Sequence, residues 1–189
     1  QCRFPAENRL AGYVDGICQP GMNLLSEFPY TGTLRALRYG GFMDNQALSA
    51  FIGSRWDDEI VGQLIEYIKI PNKSPMFDAD WQANGFMEKA TRQFADWAEG
   101  QSIDGMKVEI VRLGNRTPLI FIEIDGEGDD AVLMYGHLDK QPEMTGWDDD
   151  LGPWKPVVKG DRLYGRGGAD DGYALFGSLT AIAALKAQN

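Results

Sequence analysis

Two stretches decide the fold: DAVLMYGHLD at residues 130–139 and DRLYGRGGADDGYALFGSLTAIAALK at residues 161–186. The first is a short apolar run, which predicts a strand, and the second predicts a strand that turns through glycines into a buried helix. Two further apolar runs, MKVEIVRL (106–113) and TPLIFIEIDG (117–126), predict more strands. The pattern predicts an α/β fold, with helices flanking a mixed, mostly parallel sheet.

Upstream of these strands, the chain divides at Met43. Residues 43–70 and 85–100 carry apolar side chains at helical spacing, whereas residues 1–42 show no helical or strand period. We therefore expect residues 43–189 to form one folded domain. Residues 1–42 are expected to be an extension outside that domain.

The composition limits the classes of function. The chain has 18 Lys and Arg against 28 Asp and Glu, a formal net charge of −10 and a pI of about 4.5. Nonspecific binding to nucleic acid needs clustered positive charge, so we expect no nucleic-acid partner. No apolar run approaches the ~20 residues that span a bilayer, which predicts a cytoplasmic protein with no membrane partner. Cys2 and Cys18 both precede the main domain, so any metal there must use nitrogen and oxygen ligands.

The candidate site residues are His137, Asp139 and Asp170. His137 and Asp139 lie two apart at the end of a predicted strand, so their side chains would project together at the edge where α/β sheets bind ligands. An imidazole nitrogen can bind Zn²⁺ while a neighbouring carboxylate orients the ring. Asp170 lies at the start of the following helix, and its two oxygens could bridge two cations.

Each of these residues also has a structural interpretation. A single histidine is more often a surface or core residue than a ligand, and Asp170 taken alone is more often a helix N-cap. The acidic run at 148–150 is most simply a solvated loop, and Trp147 with Trp154 more often packs a loop than lines a cleft. Residue by residue, the choice between ligand and scaffold stays open.

The combination of motifs is more specific than any one residue. YGHLDKQP (135–142) is followed by a loop with Trp and Pro and then by RLYGRGGADDG (162–172). This combination resembles the M20 family of zinc metallopeptidases, which includes dipeptidases, carboxypeptidases and aminoacylases. The resemblance covers residues 56–189 and implies that residues 43–189 are the N-terminal part of a catalytic domain.

The resemblance implies a role for each candidate residue. His137 would ligate one zinc, Asp139 would act as the catalytic-site residue that orients and tunes this ligand, and Asp170 would bridge two zincs and precede a cis peptide bond. The chain departs from many members at Gly172 and Tyr173, which stand where those members have Lys-Gly.

The implied activity is hydrolysis of the peptide bond in dipeptides or short peptides at a site with two Zn²⁺ ions, or with Co²⁺ or Mn²⁺ in their place. An N-acyl amino acid deacylase of the same family is the alternative enzyme, and a noncatalytic fragment or binding module is the alternative from another class. The family's general-base Glu, further ligands and lid domain follow the point where this chain ends. We therefore expect a truncated domain that is inactive alone and prone to associate, and a homodimeric full-length enzyme.

Overall fold

The computed structural model describes residues 44–188, in which helices and short strands are mixed along the chain. The elements in order are α1 (Asn45–Arg55), a first π-helical turn (Trp56–Ile60), α2 (Val61–Ile68), α3 (Trp81–Asn84), α4 (Phe86–Glu99), β1 (Met106–Val111), β2 (Leu119–Ile124), β3 (Val157–Lys159), β4 (Arg162–Tyr164), a second π-helical turn (Gly168–Gly172) and α5 (Tyr173–Lys186). The predicted α/β fold class is confirmed. The predictions for residues 1–42 and Met43 lie outside the described residues.

The strands form two antiparallel hairpins. β1 pairs with β2, and β3 pairs with β4. A parallel bridge joins Lys73 to Lys140. Within residues 44–188 the strands do not assemble into the mostly parallel sheet that the sequence predicted.

The predicted strand at residues 130–139 is the main difference. It is extended chain with no strand partner in the described part of the molecule. Val132, Leu133 and Tyr135 are 88%, 93% and 81% exposed. A run of consecutive apolar residues is typical of a strand covered on both faces, but a strand forms only where neighbours satisfy its backbone hydrogen bonds. The described residues supply neither the neighbours nor the cover.

Helices α2, α4 and α5 form the core together with one face of the β1–β2 hairpin. The ring of Phe94 lies 4.8 Å from that of Tyr67 and 4.7 Å from that of Phe176, measured between centroids. All three side chains are fully buried. The hairpin adds a row of partly buried side chains: Met106, Val108, Ile120, Ile122 and Ile124. The core therefore fixes the end of α2 against the start of α5.

The helix predictions agree well with the structure. α4 follows Gly85, which has a left-handed backbone (φ 69°), and ends at Gly100. α5 is the buried helix that the sequence predicted in the second half of residues 161–186. No helix in residues 44–188 is both long enough and apolar enough to cross a bilayer.

Candidate metal site

The chain that follows α2 holds the motif HLD in place. The carbonyl oxygen of Leu138 accepts hydrogen bonds from the Tyr67 hydroxyl and from Asn72 Nδ2, the second at 2.7 Å. The backbone N–H of Lys140 donates to the Asn72 carbonyl at 3.0 Å, and the N–H of Ser74 donates to the Lys140 carbonyl at 2.9 Å. These bonds position His137 and Asp139 at the end of α2 although residues 130–139 form no strand.

Two glycines bring the motif GRGGADD close to the same place. Gly165 and Gly167 have φ values of 145° and 90°, which residues other than glycine rarely adopt. A Cβ atom at Gly165 would collide with the side chain of Ile68, and one at Gly167 would lie 2.5 Å from Lys140 Cε. The turn therefore passes directly over the end of α2 before it reaches Asp170.

Asp139 determines which nitrogen of His137 is protonated. His137 Nδ1 lies 3.1 Å from the Asp139 carbonyl oxygen and 3.2 Å from its Oδ1. Both oxygens can only accept, so Nδ1 donates, and in the neutral ring the proton resides there. The lone pair of Nε2 is then available to a metal, as in histidines whose other nitrogen is held by a carboxylate.

Asp170 lies on the Nε2 side of the ring. Its Oδ1 atom is 3.5 Å from His137 Nε2, and its side chain is 60% exposed. With the proton on Nδ1, two lone-pair donors face each other with no hydrogen between them. Two ligands of a tetrahedral zinc with bonds of ~2.1 Å are about 3.4 Å apart. The donor pair therefore fits a divalent cation.

Asp171 completes the acidic surroundings of His137, and the sequence analysis did not include it among the site residues. Its Oδ2 accepts a hydrogen bond of 3.3 Å from the His137 backbone N–H. Burial raises the pKa of the Asp171 carboxyl above its usual range. The peptide bond between Asp170 and Asp171 is cis. The two consecutive aspartates in ADDG are the sequence signal for this second carboxylate. Only the fold shows that Asp170 faces the His137 ring and that Asp171 faces the His137 backbone.

Several structural interpretations can now be decided. Asp170 is not a helix N-cap, because Gly172 occupies that position of α5 and no side chain caps it. The run at 148–150 is exposed, and Asp150 forms an ion pair with Lys159 at 2.7 Å. Trp147 is half-buried and donates to the Glu143 carbonyl, and it also lines a cavity together with Gly165 and Gly168, so it both packs its loop and borders a cleft. Within the described residues, neither the acidic run nor Trp147 contributes a ligand atom to the His137 site.

The described residues supply two converging ligand atoms, from His137 and Asp170. No group of three or more His, Cys, Asp and Glu side chains in residues 44–188 is arranged to hold a metal ion. A catalytic zinc usually has three protein ligands and an open position. A site with three protein ligands would need at least one ligand from outside residues 44–188.

Comparisons with known proteins place this site in a family context. Residues 133–189, which contain all the candidate site residues, match the model of peptidase family M20/M25/M40. Succinyl-diaminopimelate desuccinylase of Gluconobacter oxydans (strain 621H) is 44% identical over 54 residues, which are 29% of this chain and 13% of that protein. The uncharacterized metallohydrolase MJ0457 of Methanocaldococcus jannaschii is 26% identical over 134 residues, 66% of this chain and 31% of that protein. The aligned parts thus span less than a third of either relative.

Proposed function

We propose that this chain, whose residues 133–189 match the model of peptidase family M20/M25/M40, contributes His137 and Asp170 to the metal site of an enzyme that cleaves the peptide bond of dipeptides or short peptides. The observation that carries this proposal is the 3.5 Å approach of His137 Nε2 to Asp170 Oδ1. With the ring proton on Nδ1, both atoms are lone-pair donors, and a cation bound to both would stabilise their close approach. The family and the metallohydrolase relative support a metal-dependent hydrolase.

Each side chain of the site has a separate task in this proposal. Asp139 keeps the proton on Nδ1 of His137, so that Nε2 stays free to bind. Asp170 would hold a metal together with His137, and because its side chain is largely exposed, a second Zn²⁺ could also be held by this carboxylate. Asp171 fixes the His137 backbone from the opposite side. A bound Zn²⁺ would polarise the substrate carbonyl and lower the pKa of a water molecule.

An N-acyl amino acid deacylase is the second candidate, and one specific observation favours it. The relative that is 44% identical over 54 residues is a desuccinylase by name. Peptides and N-acyl amino acids share the C–N amide bond that such a site would hydrolyse. The two substrate classes differ on the carbonyl side of that bond. A dipeptide has a carbon with a free α-amine there, and an N-acyl amino acid has an acyl chain.

A chimera tests whether these residues can serve a working metal site. The 54-residue segment of the Gluconobacter desuccinylase would be replaced by the matching residues of this chain. We expect metal-dependent desuccinylase activity in the chimera and its loss on His137→Ala and Asp170→Asn. Asp161→Asn is the matched control, because that carboxylate is exposed and contacts Arg162 rather than the site. A folded chimera without activity would contradict the proposal.

A substrate panel separates the two candidates. The chain would be assayed with Zn²⁺, Co²⁺ and Mn²⁺ on unblocked dipeptides and on N-succinyl amino acids. Turnover of dipeptides alone supports the dipeptidase, and turnover of succinylated substrates alone supports the deacylase. An active chimera together with an inactive chain would show that the missing ligands must be supplied from elsewhere.

A further inference from the structure

Lys140 follows Asp139 directly and is fully buried. Burial of a lysine is costly unless its ammonium finds partners. Its Nζ donates to the carbonyl oxygens of Tyr67 and Ile70, each at 2.7 Å, and approaches that of Ile68 at 3.5 Å. It also lies 3.8 Å from the centroid of the Tyr67 ring, within the range of a cation–π contact.

These contacts make Lys140 the cap of α2. The carbonyl groups at the end of a helix have no partner within the helix, and they carry partial negative charge that favours a cation. The ammonium has three N–H donors, and it faces the carbonyls of Tyr67 and Ile68 in the last turn of α2 and that of Ile70 just beyond it. Among the described residues, no carboxylate forms an ion pair with Lys140. The end of α2 is therefore its main electrostatic partner in this part of the chain.

The stem of Lys140 contacts the second motif as well. A Cβ atom at Gly167 would lie 2.5 Å from Lys140 Cε and 2.8 Å from its Cδ and Cγ. Gly167 begins the turn that leads to Asp170 three residues later. Lys140 therefore connects three parts of the site. It follows the segment with His137 in the chain, its Nζ forms hydrogen bonds at the end of α2, and its methylene groups pack against the turn that leads to Asp170.

We propose that Lys140 is a positioning residue that sets the separation between the His137 imidazole and the Asp170 carboxylate. This inference rests on the proposed function, because that separation matters only if the two side chains bind one metal. Lys140 itself touches neither the substrate nor the metal. Its effect is transmitted through the backbone of HLD and through the turn at Gly167.

The test compares Lys140→Met with Lys186→Met in the full chain. Methionine keeps most of the stem of Lys140 but removes the nitrogen that donates to the carbonyls of Tyr67 and Ile70. Lys186 is the matched control, because its Nζ also donates to a backbone carbonyl, that of Asp104 at 2.8 Å, on an exposed surface far along the chain from the site. For each protein we would measure the free energy of unfolding without metal and the affinity for Co²⁺ of the folded protein.

A third measurement separates positioning from simple support of the fold. His137 is the chain's single histidine, so the ¹⁵N resonances of its ring report this site alone. In the metal-free parent chain at a pH where the ring is neutral, we expect the Nδ1–H tautomer. Lys140→Met should shift both ring resonances toward mixed tautomers and weaken Co²⁺ binding by about 10- to 100-fold, as loss of an orienting partner does.

The outcomes are distinct. A Lys140→Met protein that is less stable but keeps the parent's ring resonances and Co²⁺ affinity would overturn the proposal. If Lys140→Met does not fold, Lys140→Gln, which keeps N–H donors on a shorter stem, provides the same comparison. If the parent chain binds Co²⁺ too weakly to compare, the metal-free ring resonances alone decide: unchanged resonances in Lys140→Met would overturn the proposal, and a shift toward mixed tautomers would support it.

Discussion

At His137, the position of the ring proton decides what the site can bind. The two oxygens of Asp139 that face Nδ1 hold the proton on that nitrogen, so Nε2 remains a lone-pair donor. A motif of the form His-x-Asp contains the residue types for this arrangement, and the sequence therefore predicted the pair. It could not predict that the backbone carbonyl of Asp139 acts together with the carboxylate, because that depends on how the chain bends between the two residues.

We expect Asp139→Asn to reduce metal affinity by about 10- to 100-fold, because the amide still accepts a hydrogen bond but no longer carries the charge that makes the imidazole a stronger ligand. The measurement is a Co²⁺ or Zn²⁺ titration followed by competition with a chelator. Asp161→Asn serves as the control for the loss of one exposed negative charge. Equal affinities in Asp139→Asn and the parent would show that the carboxylate does not tune His137.

Lys140 gives a pH dependence of stability. Burial lowers its pKa from 10.5 to about 7, although the carbonyls at the end of α2 favour the charged form. Between these values the unfolded chain holds a proton that the folded chain has lost, so folding becomes more favourable as pH rises. We expect the free energy of unfolding to increase from about pH 7 toward pH 10, with a slope of at most about 1.4 kcal/mol per pH unit. Below pH 7 both states are protonated and this contribution is constant.

Urea unfolding at a series of pH values checks this expectation. Lys140→Met should remove most of the slope between pH 7 and pH 10, and Lys186→Met should keep it. Tyr67 sets the upper limit of this pH range. Burial raises the pKa of its hydroxyl above the usual range, so near pH 10 the unfolded chain loses this proton while the folded chain keeps it, and stability then falls as pH rises further. A slope that persists in Lys140→Met would assign the pH dependence to other groups.

At the scale of elements, the sequence predicted the helices better than the strands. α4 and α5 have apolar periodicity and clear ends, and these signals are local. The segment at 130–139 has an equally clear strand pattern, but whether it pairs depends on residues far away in the chain or outside it. The three candidate side chains were expected to meet at strand ends. They do meet, but loops fastened to α2 bring them together.

The junction between the second π-helical turn and α5 is where packing constrains the sequence most. A Cβ atom at Gly172 would collide with the Tyr67 ring and lie 2.8 Å from the Gly167 carbonyl oxygen, whereas one at Gly62 in α2 meets nothing within 4 Å. We expect Gly172→Ala to destabilise the fold by ~1–3 kcal/mol through overpacking. Gly62→Ala should stabilise it by ~0.5–1 kcal/mol, because alanine has the higher helix propensity. Denaturant unfolding of both variants measures the contrast, and a Gly172→Ala protein as stable as the parent would contradict the packing argument.

Across the whole molecule, the largest side chains of the apolar segment 132–135 lie on the surface of the described structure and not in its core. Val132 and Leu133 are 88% and 93% exposed, and Tyr135 next to them is 81% exposed. This segment also has unpaired backbone groups in the described structure. An extended apolar segment with open hydrogen-bonding groups is a template for pairing with another chain. The net charge of −10 opposes such association only over a distance comparable to the Debye length.

We therefore expect the chain to self-associate through residues 132–135. The double substitution Val132→Thr and Leu133→Gln removes apolar surface without changing the net charge, and because both side chains are exposed it should cost little stability. We expect it to raise the concentration needed for association about tenfold, equivalent to about 1.4 kcal/mol. Sedimentation velocity across a range of concentrations measures this shift.

The matched control replaces Met76 and Leu113, which are 83% and 60% exposed on other surfaces, with Gln. An equal shift in both variants would mean that general hydrophobicity drives association, and a chain that stays monomeric at every concentration would show that this segment is protected in solution.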